Sequence, residues 1–304
     1  MKTSIILIFI LLKLFCVAQK NPCYQQKIKC DKYTVANCHN LVSFDQDLGT
    51  YYFKKNIYQL YTGKCVTCFR NGQLESQVSI VNGKQDTIIN YYESGCIQSK
   101  LFYVMGKLEG EAILYYDSTG NKTKIEDFKG GIKNGKMITF ENNSSNDTIS
   151  YINYKNNLLD GVKKEFYPNN KPHRIIEYSA GLQNGSQKTY GNNGKLELEI
   201  FFKNGKKHGA WHYYFDSGLE AKLESWSDGL MNGEFKELDE KGLILSQEFY
   251  RKNIPIGKHI QNYPDGKPKY IIIFDKKGNI IEEASFDESG VKTEIIKPNK
   301  KKND

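Results

Sequence analysis

Cysteine and histidine are the residues of this chain whose chemistry could reach beyond packing, and there are seven of the first and five of the second. Cys65 and Cys68 stand three apart, a spacing shared by zinc ligands and thiol redox pairs. A structural zinc site wants a second pair at similar spacing, and the sequence offers none. A redox pair wants a helix N-terminus to lower its thiol pKa, whereas Cys65-Val66-Thr67-Cys68 reads as a strand. Residues i and i+3 on a strand point to opposite faces, which argues against a bond between these two. Cys23, Cys30, Cys38, Cys65, Cys68 and Cys96 all lie early in the chain and are even in number. The favoured reading is a set of structural disulfides whose connectivity the sequence leaves open. Metal ligation, redox chemistry and free thiols are the alternatives.

His208 and His212 would share one face of a helix and could hold zinc there. On a strand the same spacing separates them by about 13 Å. With His39, His173 and His259 they are read as turn and surface residues. No Gly-x-Ser-x-Gly elbow, phosphate loop or dinucleotide fingerprint occurs. Glu197, Glu199, Glu220 and Glu224 alternate with lysines, the pattern of a solvated strand face unless the fold makes a pair converge. No catalytic residue, cofactor site or metal site is therefore assigned, and a non-enzymatic protein is expected.

The elements that carry these residues repeat. Gly135, Gly161, Gly185, Gly209, Gly233 and Gly257 follow one another at steps of 26, 24, 24, 24 and 24, and all but Gly257 follow a polar residue. Gly63 and Gly110 extend the series toward the N-terminus. Fixed-period self-similarity marks a repeat architecture. Each unit holds two apolar-aromatic segments of five to eight residues, too short for helices and rich in Tyr, Phe, Ile and Thr. Asn-Gly, Asp-Gly and Ser-Gly pairs separate them and supply the positive φ of hairpin turns. One unit is thus one β-hairpin, and the glycine before each first strand is expected to serve as a turn at the other end. Nine or ten hairpins form an all-β antiparallel meander, elongated and twisted, advancing roughly 10 Å per repeat.

Aromatic residues keep phase with the glycines. Five positions on come Tyr115, Phe140, Phe166, Tyr190 and Tyr214; six on come Tyr116, Tyr167, Phe215 and Tyr263. Neighbouring strand positions face opposite sides, so these form two rows. Second strands add Tyr103, Phe128, Tyr154, Tyr178, Phe202, Trp226 and Phe249. Stacking between repeats accounts for most of these rings; Tyr116, Tyr167, Trp211, Phe215 and Tyr263 are the candidates for a binding face.

The pattern Gly-Lys-x-x-Gly followed by Tyr-Tyr-x-x-Gly resembles the variant MORN repeat family, bacterial hairpin repeats often catalogued as antitoxin-like. The resemblance spans roughly residues 58–270, closest at 106–120 and 205–218. It implies an elongated, twisted all-β array acting as a scaffold.

Residues 1–18 read as a signal peptide, with Lys2 ahead of the apolar run Ile5 to Leu12 and a small residue at Ala18. Lys13 ends that run short of a membrane span. Residues 19–57 form a cysteine-rich cap, 58–274 the repeats, 275–296 a divergent hairpin and 297–304 a basic disordered tail. The formal charge of +8 falls to +6 without Lys2 and Lys13. Because lysines and acids interleave, no nucleic-acid partner is expected. The expectation is an exported bacterial scaffold, periplasmic or extracellular, that binds a protein partner. An immunity-like inhibitor and a lipid- or glycan-associating protein are the rival readings. Alkylation of the purified exported protein without reductant should leave its intact mass unchanged; uptake on all six cysteines would reject the disulfides.

Overall fold

The computed structural model describes Cys30, residues 37–46 and residues 50–296. Residues 1–18, expected to be a signal peptide, Cys23, most of the expected cap and the tail 297–304 lie outside the described residues. The chain divides into two compact units, one within Met1–Lys100 with Tyr115–Asn121, the other comprising Leu101–Leu114 and Lys122–Asp304.

In the first unit, a single helical turn, Cys38–Leu41, is capped by the Asn37 side chain, which accepts from the His39 amide at 2.9 Å. Val42–Asp45, Thr50–Phe53 and Asn56–Leu60 form a three-stranded antiparallel sheet. The repeat boundary expected at residue 58 therefore moves: Leu60 pairs with Tyr52 in this small sheet, and repeat pairing begins with Gly63–Cys68 against Leu74–Val81. Val42, Tyr61, Cys65 and Ile80 form the buried cluster between these elements.

Two disulfides pin that cluster, Cys30–Cys68 and Cys38–Cys65, with Cα atoms 6.4 and 5.0 Å apart. Cys65 and Cys68 take different partners, as their opposite strand faces require. Cys96 is disulfide-bonded as well. The bridges close loops of 38 and 27 residues. In the chain-entropy account each such closure is worth about 3–4 kcal/mol, taken from the unfolded state.

The second unit is an antiparallel meander in which each strand pairs with the next, as in Leu158–Phe166, Pro172–Ser179, Leu182–Tyr190 and Leu196–Lys203. Two kinds of connection alternate. One is a two-residue hairpin turn, as at Asn204-Gly205, where φ is 49° and 76°. Positive φ at both positions is the type I′ geometry that matches strand twist. The same turn recurs at Ala180-Gly181, Asp228-Gly229 and Lys252-Asn253. The second kind is a longer loop, closed at Phe215-Leu219 by the Phe215 amide on the Leu219 carbonyl at 2.9 Å.

The longer loops correct one expectation. Strands end at Tyr115, Phe166, Tyr214 and Asn262, so Tyr116, Tyr167, Phe215 and Tyr263 open the loops and form no row on a sheet face. Register shifts at Glu165/Phe166, Tyr213/Tyr214 and Gln261/Asn262 carry Tyr167, Phe215 and Tyr263 off the pleat.

The repeat glycine is also placed differently from the turn expected of it. Gly135, Gly161 and Gly185 sit inside continuous strands, and Gly209 and Gly233 follow a brief break where His208 and Asn232 amides reach back to the Phe201 and Ser225 carbonyls at 2.9 Å. This is a bulge. At Gly233 φ is +120° and a Cβ would lie 2.8 Å from that of Ser225, so only glycine fits.

Each bulge receives the type I′ turn of the next repeat. Gly205 donates its amide to the Gln183 carbonyl at 2.8 Å, and Asn204 donates to Asn184 Oδ1 at 3.0 Å. The equivalent amides of Gly130, Ala180 and Lys252 donate to the side chains of Glu109, Asp160 and Asn232. The polar residue before the repeat glycine is thus the acceptor for the following turn. Ile256 breaks the rule where the type I′ turns stop and Asp275–Asn279 takes the longer form. Ile280–Phe286 and Lys292–Ile296 then make the divergent terminal hairpin.

Asn184→Ala removes one acceptor and leaves the strand intact. The expected loss is about 1 kcal/mol, the net worth of one such bond, read as a lower urea midpoint at unchanged slope; an unchanged midpoint would refute the lock.

Candidate functional site

The loop edge of the hairpins is latched like the turn edge. Tyr167 and Tyr263 donate their hydroxyls to the Tyr190 and Phe286 carbonyls, at 3.0 and 2.9 Å. Lys171, Lys195 and Lys267 donate to loop carbonyls 21 residues ahead. Among the candidate binding aromatics, Tyr167 and Tyr263 therefore join repeats, and Tyr116 and Phe215 begin loops. Trp211 alone of the five lies on a strand face among other rings.

Those rings form a continuous row. Phe202, Trp211, Trp226, Phe235, Tyr250, His259 and Phe274 follow one another at centroid separations of 5.2, 6.0, 5.4, 5.3, 5.3 and 4.7 Å. The sequence reading placed Phe249 in this row; Tyr250 occupies it, because Gly233 pairs with Tyr250 as Gly209 pairs with Trp226. His259 was read as a surface residue and is buried. Its Nε2 meets the Phe249 carbonyl at 2.8 Å, just as Trp211 Nε1 donates to the Phe201 carbonyl at 2.9 Å. Two 24-residue steps put the two in the same structural position, and His259 replaces an indole N–H.

A second row runs directly opposite. Cross-strand partners on this face are Lys163 with Ile176, Gln187 with Ile200, Trp211 with Glu224, Phe235 with Glu248, and His259 with Ile272. Ile152, Ile176 and Ile200 are buried, at 9, 2 and 5% exposure. In the next two repeats the aliphatic position becomes glutamate, Glu224 and then Glu248. Glu224 was legible as a strand-face carboxylate; Glu248 was missed, although the step of 24 from Glu224 marks it.

Each glutamate is held the same way. Trp226 Nε1 donates to Glu224 Oε2 at 3.0 Å, and the Tyr250 hydroxyl donates to Glu248 Oε2 at 2.7 Å. Burial together with the Glu248 carboxylate pushes the Tyr250 phenol up to about 12. The cations differ. Lys207 Nζ stands 4.3 and 4.1 Å from the centroids of Trp211 and Trp226, a cation–π sandwich. Lys222 Nζ pairs with Glu224 at 3.0 Å and with Glu237 at 3.5 Å.

Two shallow concavities of about 330 and 340 Å³ open on this face, and Glu237, Ser246 and Glu248 line both. On the flank, Glu220 accepts from His212 Nδ1 at 2.7 Å and meets Lys236 Nζ at 3.1 Å. Burial alone would raise the Glu220 carboxyl, but His212 and Lys236 outweigh it and hold it below the ordinary carboxylate range. His208 and His212 point to separate partners, Asp228 and Glu220. Among the described residues no group of three or more His, Cys, Asp or Glu is arranged to hold a metal ion.

Fold and register define a tandem β-hairpin repeat protein. Its units at residues 159–180 and 183–204 match the MORN repeat variant family. No curated protein sequence matches the chain. Among solved structures, similarity is found to a TcdB2–TccC3–Cdc42 complex, at 11% identity over 81% of this chain and 15% of that one, with a TM-score of 0.21. The Photorhabdus luminescens Tc holotoxin pore matches at 13% identity over 85% of this chain and 17% of that one, with a TM-score of 0.19. The chain thus spans less than a fifth of those structures' length.

The Glu220 contacts predict a pH dependence. A carboxyl whose folded pKa lies below its unfolded value stabilises above the unfolded pKa, and that contribution is lost as pH falls through the folded one. Urea midpoints of wild type and Glu220→Gln should differ at pH 7 and converge on acidification below 4.5, the ordinary glutamate value. A gap of constant size across that range would contradict it.

Proposed function

We propose that this protein is a non-enzymatic, exported repeat scaffold that binds a protein partner, in the cell envelope or outside the cell, through the aromatic–carboxylate face between Trp211 and Ile272. The observation that carries this reading is where the repeats spend their hydrogen bonds. Turns lock onto bulges at one edge, and tyrosines and lysines latch loops at the other. Strand faces remain as the accessible surface. On this stretch of face the buried isoleucine row of earlier repeats gives way to Glu224 and Glu248, beside the half-buried rings of Trp226, Phe235 and Tyr250. Half-buried aromatics flanked by polar groups are the residue types that anchor protein interfaces.

The disulfides suit a non-reducing compartment and so support export. Among the described residues no helix is long and apolar enough to cross a membrane. The rings lie on a strand face, with the acids engaged by neighbouring lysine, tryptophan and tyrosine side chains. That arrangement favours binding over chemistry.

A photo-crosslinking amino acid at Ser246, on this face, and at Gln247, on the opposite one, tests the reading in cells that export the protein. Ser246 should capture one dominant protein and Gln247 far less. Capture of only lipid, glycan or background from Ser246 would overturn the protein-scaffold reading in favour of surface association.

A further inference from the structure

The repeat register permits a comparison within the molecule. In one repeat the Trp211, Trp226 and Glu224 set is neutralised by the chain itself: Lys207 lies between the two indoles and Lys222 pairs with the glutamate. Twenty-four residues on, the rings and the acid persist as Phe235, Tyr250 and Glu248, in the same cross-strand arrangement. Both lysines are gone. Met231 takes the position of Lys207, and Ser246 that of Lys222. Among the described residues no lysine or arginine stands within ion-pair distance of Glu248. The concavity of about 330 Å³ opens at this place, lined by Trp226, Met231, Phe235 and Ser246, by the acids Glu224, Glu237 and Glu248, and by Lys222 and Lys236, whose ammonium groups pair with Glu224, Glu237 and Glu220 and leave Glu248 without a cation.

We propose that this second set binds a lysine or arginine side chain presented by a basic segment of the protein partner, seated against Phe235 and Tyr250 and paired with Glu248 as Lys207 and Lys222 serve the set before it. The proposal deepens the scaffold reading and rests on it. Charge complementarity selects the occupant: a carboxylate beside aromatic faces favours a cation over a neutral or anionic group. The upstream repeat displays the bound form, with an ammonium in contact with two ring faces.

The test is calorimetric titration of the whole exported protein with a hexalysine peptide at low ionic strength, where such contacts are least screened. Saturable binding is expected, with hexaglutamate giving none. Glu248→Gln should weaken hexalysine binding by about ten-fold, the change expected when the charge of one hydrogen-bonded ion contact is removed. Met231→Lys, which restores the internal ammonium, should weaken it at least as much. Far-UV circular dichroism confirms that each variant keeps its strands. No saturable binding by wild type, equal binding of hexaglutamate, or wild-type affinity in both variants overturns the cation site. A dominant crosslink from Ser246 alongside any of those results leaves the scaffold standing, whereas no captured protein sinks the scaffold whatever hexalysine does.

Discussion

The lock between a glycine bulge and the type I′ turn of the next hairpin is the contact on which the meander depends. A single-layer sheet has little core to hold it, and most residues on its faces are half-buried. Strand pairing alone leaves register weakly specified when both faces are partly wet. The bulge fixes it. Only glycine can occupy position 233, because a Cβ there would collide with Ser225, and the polar residue before a bulge, as at Asn184 and Asp160, presents a side-chain acceptor one repeat upstream of the turn it receives. One repeat therefore sets the phase of the next, which is how nearest-neighbour stability arises in repeat proteins.

With both edges committed, sequence variation collects on the strand faces. The row that begins as Ile152, Ile176 and Ile200 serves the packing of neighbouring repeats. Its conversion to Glu224 and Glu248 is tolerable because Trp226 and Tyr250 each supply a hydrogen-bond donor from the same strand. A carboxylate half-removed from water without such a donor would be costly. The two acids lie two strands apart, about 10 Å, separated by Phe235. The groove thus presents ring, acid and ring in alternation, a surface matched to an extended segment more than to a compact ligand.

The first unit meets the problem of a small core differently. Among the described residues its buried cluster is four residues, with Cys65 and Ile80 at 0 and 1% exposure. Cys38–Cys65 runs through that cluster, and Cys30–Cys68 holds the opposite strand face. Covalent closure takes the place of the apolar area that so few residues can bury.

The sequence by itself determined the repeat period, the hairpin in each unit and the opposite facing of Cys65 and Cys68, because these follow from local backbone preference and from the two-residue period of a strand. Asn204-Gly205 announces its turn with no help from the rest of the chain. Only the tertiary structure decided what the repeat glycine is for. A glycine at positive φ suits a turn and a bulge alike, and the cross-strand neighbour, Ser225 or Phe201, makes the choice. The same holds for the candidate face. Tyr167 and Tyr263 looked like strand aromatics until a register shift moved them to the loops, where their hydroxyls find carbonyls 23 residues away. Glu248 and Met231 carried no signal of their own. Their meaning comes from standing where Glu224 and Lys207 stand one repeat before, a comparison that needs the register as well as the period.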